Sequence, residues 1–215
     1  MRLLSPLEAR VLGVLVEKQH TVPDTYPMSL NALVGGCNQK TARHPVIEAS
    51  DAEVLTAIDG LKGLNLLFEG SSSRVPKFEH NSGRVLQVPT QAVALLAVLM
   101  LRGPQTAAEL RLNCDRLHRF ADISSVEGFL EELAAKQVPM VLKLPRAAGE
   151  REARWAHLLC GEVALPAGRA PAADEGLGAG EIAALRAEQT RLATEMDALR
   201  QLVLRMAREL GIDPA

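Results

Sequence analysis

Apolar positions along this chain recur at helical spacing in short segments, each introduced by a capping signal. Ser5-Pro6-Leu7-Glu8 combines a capping box with proline at the first helical position. It predicts a first helix carrying Leu7, Val11, Val14 and Leu15 to about Lys18. Pro23 and Pro27 mark Thr21–Pro27 as loop, and Ser29 caps a short helix with Leu30, Leu33 and Val34 that Gly35-Gly36 should stop. A polar stretch, Cys37–Pro45, precedes a second box, Ser50-Asp51-Ala52-Glu53, which opens a third helix burying Val54, Leu55, Ile58 and Leu61. Leu66–Glu69, Gly70-Ser71-Ser72-Ser73 and Arg74–Glu79 then read as a β-hairpin, with Pro76 suited to an edge strand.

Three short helices and a hairpin follow the order of a winged helix, and the order repeats. Thr90 is expected to cap a helix through Leu101, Thr106-Ala107-Ala108-Glu109 a second, and Ser124-Ser125-Val126-Glu127 a third that buries Val126, Phe129, Leu130 and Leu133. Val138–Leu144 and Glu152–Leu159 form a second hairpin around a turn containing Gly149. Matching caps at Ser5 and Thr90, Ser29 and Thr106, and Ser50 and Ser124 indicate a diverged tandem repeat of roughly eighty residues. The fold class expected is mainly α with small β-hairpins: winged-helix domains over residues 1–85 and 86–164, then further segments of a different character.

Residues 165–180, rich in Ala, Gly and Pro from Pro166 to Gly180, read as a flexible linker. From Glu181 the period becomes heptad, predicting a coiled-coil helix over 181–211. Its a and d positions take Ile182, Leu185, Gln189, Leu192, Met196, Leu199, Val203, Met206 and Leu210, with Gln189 alone polar. About four heptads make a rod of roughly 45 Å. The narrow stripe behind a linker favours self-association over packing back onto the domains.

Composition narrows the function classes. With 24 basic and 26 acidic residues, no global field draws the chain to nucleic acid or membrane. The longest strictly apolar run, Ala92–Leu101, is ten residues, about half a bilayer span, so no membrane association is expected. Nor does Met1-Arg2 open a secretory leader. Cys37, Cys114 and Cys160, with no Cys-x-x-Cys among them, suit reduced thiols and a cytoplasmic location.

Several blocks are distinctive: Leu7-Glu8-Ala9-Arg10-Val11-Leu12-Gly13 with Glu17-Lys18, Thr21-Val22-Pro23-Asp24-Thr25-Tyr26-Pro27, and Cys37-Asn38-Gln39-Lys40-Thr41. Leu101-Arg102-Gly103-Pro104-Gln105-Thr106, Glu109-Leu110-Arg111 and Val126-Glu127 continue them. Over about residues 1–164 the chain resembles the YceH-like family of uncharacterised bacterial proteins. The resemblance implies two winged-helix domains, a terminal coiled-coil-like helix and no established activity. The chain departs from that pattern at Ala42 and His44, where Asn and an acid are expected, and at Leu112 and Asn113, where the family is more basic.

Winged helices commonly read DNA with helix three in the major groove and the wing on the backbone. Here the two third helices offer Asp51, Glu53, Thr56, Asp59 and Lys62, and Glu127, Glu131, Glu132 and Lys136. Carboxylates facing phosphate are repulsive, which disfavours that docking. Cations gather instead before helix three (Lys40 and Arg43, with His44 beside them; then Arg111, Arg116 and Arg119) and on the second wing (Lys143, Arg146, Arg151 and Arg154). These residues are the candidate phosphate contacts to double-stranded DNA, weighed against solvated arginines paired with local acids. Cys37 near Lys40 and His44 lacks an orienting acid and reads as core rather than nucleophile. Cys114 and His118, at i and i+4, are only two ligands of a metal site, and Gly35-Gly36 lacks the Lys-Ser/Thr spacing of a phosphate loop. Tyr26 is expected to pack its loop onto helix one and Trp155 to face the core.

No catalytic residue, metal or cofactor is expected. The leading expectation is a non-enzymatic, DNA-associated regulator gripping phosphate through the second wing and the pre-helix-three loops. The alternative is a protein-assembly adaptor that uses the winged-helix faces and the coiled coil without DNA. The heptads give a first testable consequence. In a parallel pair, Glu181 faces Arg186 of the partner helix and Glu195 faces Arg200, while Gln189 at an a position fixes register. Light scattering should return a dimer for the full chain and a monomer for a 1–164 truncation; equal monomer masses would remove the coiled coil.

Overall fold

The computed structural model describes residues 2–70, 75–146, 150 and 152–163; the segments 165–180 and 181–211, with all nine heptad positions, lie outside the described residues. Seven α-helices and two small antiparallel sheets are formed among the described residues. Helix α1 (Pro6–Thr21) begins at the Ser5 capping box and runs a turn past Lys18, and Thr21 Oγ1 donates to the Glu17 carbonyl at 3.0 Å. Helix α2 (Leu30–Cys37) starts at Ser29, and α3 (Asp51–Gly63) at the Ser50–Glu53 box.

Gly35-Gly36 does not stop α2, which continues to Cys37. Gly36 serves close packing instead: a Cβ there would stand 2.6 Å from Val14 Cγ1 of α1. Strands β2 (Leu67–Gly70) and β3 (Lys77–His80) pair as a hairpin with Phe68 opposite Glu79. A two-residue strand, β1 (Met28–Ser29), joins β3 from the other side, giving the order β1-β3-β2. The loop expected over Thr21–Pro27 therefore ends in a sheet strand. Tyr26 packs against the core, and its hydroxyl also ties the loop to β3 by accepting from the His80 backbone N–H at 2.8 Å.

A short helix without a sequence signal, α4 (Ser82–Leu86), links the halves. Helix α5 (Thr90–Arg102) follows, with Pro89 rather than Thr90 at its N-cap and no side-chain cap bond. Helix α6 (Ala107–Asn113) starts at the Thr106–Glu109 box as expected. Helix α7 (Ile123–Ala134) begins earlier than its Ser124 signal. Asp122 caps it, accepting the Ser125 backbone N–H at 2.7 Å. An ionised carboxylate is the stronger partner for the positive helix end. The Ser125 side-chain and backbone hydrogen bonds in turn hold the Asp122 carboxyl below its ordinary value. Strands β4 (Val141–Lys143) and β5 (Trp155–His157) pair with Leu142 opposite Ala156.

Residues 8–16 of α1 and 92–101 of α5 are buried without a break, and the two helices pack against each other. The ten-residue apolar run of α5 is thus the inner wall of one core that draws on residues from Leu4 to Leu159. A helix apolar on every side is a buried one. At the crossing, a Cβ on Gly13 would lie 2.9 Å from Leu101 Cγ. Backbone bonds add further ties: Leu4 N–H to the Leu159 carbonyl at 2.8 Å, and His44 N–H to that of Leu101 at 2.8 Å. Residues 1–165 form a compact unit.

The loop between α2 and α3 is held from inside. Asn38 donates Nδ2–H to the Ala49 carbonyl at 2.8 Å and accepts the Ala49 N–H at 2.8 Å, closing the loop at its base. Arg10 of α1 reaches through it, donating to the carbonyls of Cys37 at 3.0 Å and Pro45 at 2.6 Å. Ala42 sits at the loop tip with φ +58°. A left-handed conformation costs a residue with a Cβ roughly 1–2 kcal/mol, and asparagine bears it better.

Two stability predictions follow from these contacts. Gly13→Val should cost about 2 kcal/mol or more in urea unfolding by overpacking against Leu101, whereas Gly35→Ala, exposed with open space about its Cβ, should stabilise by roughly 0.5–1 kcal/mol. A neutral Gly13→Val would refute the close approach. Ala42→Asn should raise the urea midpoint, by about 0.5–1 kcal/mol at an unchanged slope; a lower midpoint would show that the loop does not relax there.

Candidate functional site

In each half the third helix presents its solvent side to whatever the module meets. On α3, Asp51, Glu53, Leu55, Thr56, Asp59 and Lys62 are exposed. Lys62 turns off that face, its Nζ donating to Glu69 of β2 at 2.5 Å, 4.0 Å from Asp59. On α7, Glu131 and Glu132 are exposed and Glu127 half-buried, and Lys136 donates to the Gln87 carbonyl at 3.1 Å. Each helix thus carries three carboxylates near one lysine: Lys62 is shared between Asp59 and Glu69, and Lys136, just past α7, is on the Gln87 carbonyl. Apolar side chains share these surfaces: Leu55 is 41% exposed, Ile123 43% and Leu112, on α6, 72%.

The nine candidate cations meet different fates. Arg43 is buried, its guanidinium forked on Glu17 at 2.6 and 3.1 Å with Nε–H donated to the Gly36 carbonyl at 3.1 Å. It is a structural strut between α1 and the α2–α3 loop, and no surface grip is open to it. Burial works against the charge on Glu17, but the Arg43 hydrogen bonds and charge, with Lys18 beside them, outweigh it and keep the carboxyl below its ordinary value. Arg154 is forked on Glu109 of α6 at 2.9 and 3.3 Å and also reaches Glu150 at 3.2 Å. Those bonds anchor the segment leading into β5 to α6. Arg119 pairs with Asp115 at 3.2 Å, Arg111 donates to the Ala121 carbonyl at 3.1 Å, and Lys143 stands 5.2 Å from the centre of the Trp155 ring. Lys40, Arg116 and Arg146 are exposed and, among the described residues, make no ion pair. Arg151 lies outside the described residues.

The cysteines are placed as packing groups. Burial pushes the Cys37 thiol up to about 11 despite Arg10 and Arg43 nearby, and Cys114 up to about 12. A thiol so shifted is protonated at neutral pH, as a buried packing group is. Cys114 points its Sγ at the Ala94 carbonyl, 3.7 Å away, and His118 stacks edge-on against Phe120. No group of three or more metal-ligating side chains converges among the described residues. Trp155 is buried on β5, as its alternation implied.

One functional candidate escaped the sequence reading. Arg10 lies on the buried face of α1, 4% exposed, and its Nε–H has no partner. A charged residue between Leu7 and Val14 on an apolar stripe is the signal that could have marked it. Arg10 lines a cleft with His157 of β5, whose buried Nδ1 is also unpartnered.

No described helix is long and apolar enough to cross a membrane. Residues 4–150 match the family described as "Protein of unknown function, DUF480". The chain is 66% identical to a UPF0502 protein of Cupriavidus pinatubonensis, covering 100% of this chain and 93% of that one. It is likewise 66% identical to a UPF0502 protein of Burkholderia multivorans and 67% to one of Burkholderia pseudomallei, each over 99% of this chain and 92% of the relative. On matches of that extent, the chain belongs to the DUF480/UPF0502 family of uncharacterised bacterial proteins.

Proposed function

We propose that this protein is a non-enzymatic assembly adaptor: two winged helices in tandem, followed by a coiled-coil segment, that engage protein rather than the DNA major groove. The observation that carries this reading is the state of the third helices. Each exposes carboxylates together with an apolar side chain, and its one lysine is held by a partner off the helix, Lys62 by Glu69 as well as Asp59 and Lys136 by the Gln87 carbonyl. Such a surface repels phosphate and suits a partner with basic residues around an apolar centre.

A second reading is favoured by Lys40, Arg116 and Arg146, which are exposed and unpaired among the described residues. In it the chain touches the DNA backbone weakly and without reading sequence. Each cation that contacts phosphate would add about one counterion to the salt dependence.

A titration of labelled duplex decides between them, comparing wild type with the Lys40→Gln/Arg116→Gln/Arg146→Gln variant. The adaptor reading expects no measurable duplex binding at about 0.15 M salt. It also expects a stoichiometric protein partner, retained by the full chain from nuclease-treated native extract and lost on Asp51→Lys/Asp59→Lys. Tight duplex binding at that salt, weakened and flattened in salt dependence by the triple neutralisation, would overturn the adaptor and install the DNA reading.

A further inference from the structure

Leu7 of α1, Ile47 of the α2–α3 loop and Leu99 and Met100 of α5 line a mostly apolar cleft of about 440 Å³. That volume falls in the range of ligand sites, roughly 300–1,000 Å³. The buried polar side chains on its walls are closed to an occupant. Arg10, the one lysine or arginine among the lining residues, is 4% exposed; two of its nitrogens donate to the carbonyls of Cys37 and Pro45, and Nε is shut off from solvent. His157 Nδ1 is shut off in the same way. A small ligand is oriented by a few polar groups inside its pocket, and neither Arg10 nor His157 supplies one. The exposed charges of the cleft are instead carboxylates, Glu48 of the loop and Glu53 in the first turn of α3. Among the described residues Glu48 makes no ion pair. Glu53 accepts the Ser50 backbone N–H at 2.8 Å and the Ser50 hydroxyl at 2.7 Å, which keep its carboxyl below the ordinary value. Beside them Val46, between the lining residues Pro45 and Ile47, is 53% exposed and extends the apolar surface outward.

We propose that this cleft seats the apolar anchor of a protein partner: a large aliphatic or aromatic side chain with an arginine or lysine on either side. The assignment rests on the adaptor reading and gives that partner a docking point and a chemistry. The anchor leaves water between Leu7, Ile47 and Met100, while the flanking cations stay outside, over Glu48 and Glu53. A desolvated apolar anchor supplies most of the binding energy of such an interface, and the polar rim supplies selectivity. Exposed ion pairs are weak and screened by salt. The two carboxylates therefore act chiefly by rejecting acidic segments and by speeding encounter with basic ones. Glu53 belongs to both the cleft and α3, so a partner anchored here continues onto the outer face of that helix, where Leu55 and Asp59 are exposed.

Calorimetry on the full chain tests the proposal with three end-blocked heptapeptides: Gly-Arg-Leu-Trp-Leu-Arg-Gly, its counterpart with glutamate for both arginines, and its counterpart with serine throughout the Leu-Trp-Leu centre. The first should bind once per chain with Kd at or below about 1 mM, and the other two at least about tenfold more weakly. Ile47→Trp fills the cleft and should abolish binding of the first peptide while cooperative unfolding persists. Glu48→Lys/Glu53→Gln alters only exposed groups, and glutamine keeps the capping box of α3. It should narrow the preference for the arginine peptide over the glutamate peptide to about threefold or less. Absence of saturable binding by the first peptide, equal affinity for either counterpart, or an unchanged preference in the charge variant would each overturn the assignment. A partner from native extract that Asp51→Lys/Asp59→Lys loses should also be lost on Ile47→Trp. Its retention by the folded Ile47→Trp chain would overturn the cleft and leave the adaptor standing.

Discussion

Helices α1 and α5 approach so closely that Gly13 has no room for a Cβ beside Leu101. One opens the chain and the other follows the short helix α4, and each is buried along most of its length. A single helix of that kind can be satisfied only by apolar surface on every side, which neither half can supply alone. Pairing solves the problem for both at once. The second and third helices of each half are then free to be amphipathic and to show a polar face to solvent. The same pairing brings the α2–α3 loop onto the C-terminal end of α5, where His44 N–H finds the Leu101 carbonyl.

That arrangement decides which charges remain outside. A loop lying over a shared core needs its backbone carbonyls satisfied, and arginine, with five donors on a rigid fork, does this well. Arg10 and Arg43 are both drawn inward to carbonyls of residues 36–45, and Arg43 takes Glu17 with it. The second half spends its cations differently: Arg154 crosses from the wing to Glu109 of α6, and Arg119 closes a local pair with Asp115. A basic count read along the chain therefore overstates the basic surface. On α3 and α7 only Asp59 pairs with a cation among the described residues, and Asp51, Glu127, Glu131 and Glu132 make no ion pair, so those two faces stay acidic.

What could be read in advance was local. The caps at Ser5, Ser29, Ser50 and Thr106 each bond within their own first turn, and sequence placed all four. Errors arose where a local signal had a competitor. Asp122 outbid Ser124 with a full charge, and Gly36 proved to be a packing contact with Val14 rather than a helix stop. The features that were missed depend on distant partners. Strand β1 exists because Met28 meets Phe78, and Arg43 is buried because Glu17 lies across the core from the loop. Neither partner can be inferred from spacing in a single chain. Arg10 is an intermediate case, since its place on an apolar stripe was visible but the carbonyls that receive it were not.

The segments before α3 and α7 also differ in what they leave unfinished. In the second half that segment, residues 114–122, folds through Cys114 and Phe120, both buried, and its arginines stay at the surface or on local partners. In the first half the corresponding loop is longer and encloses Arg10, which braces two of its carbonyls and keeps one buried donor, Nε–H, without a partner among the described residues. Burying a guanidinium without its counter-ion is costly, and a fold needing only two carbonyls braced could have used a neutral amide there. What the guanidinium adds over an amide is reach and a rigid fork: from α1 it holds the carbonyls of Cys37 and Pro45, at the two ends of the loop, at once.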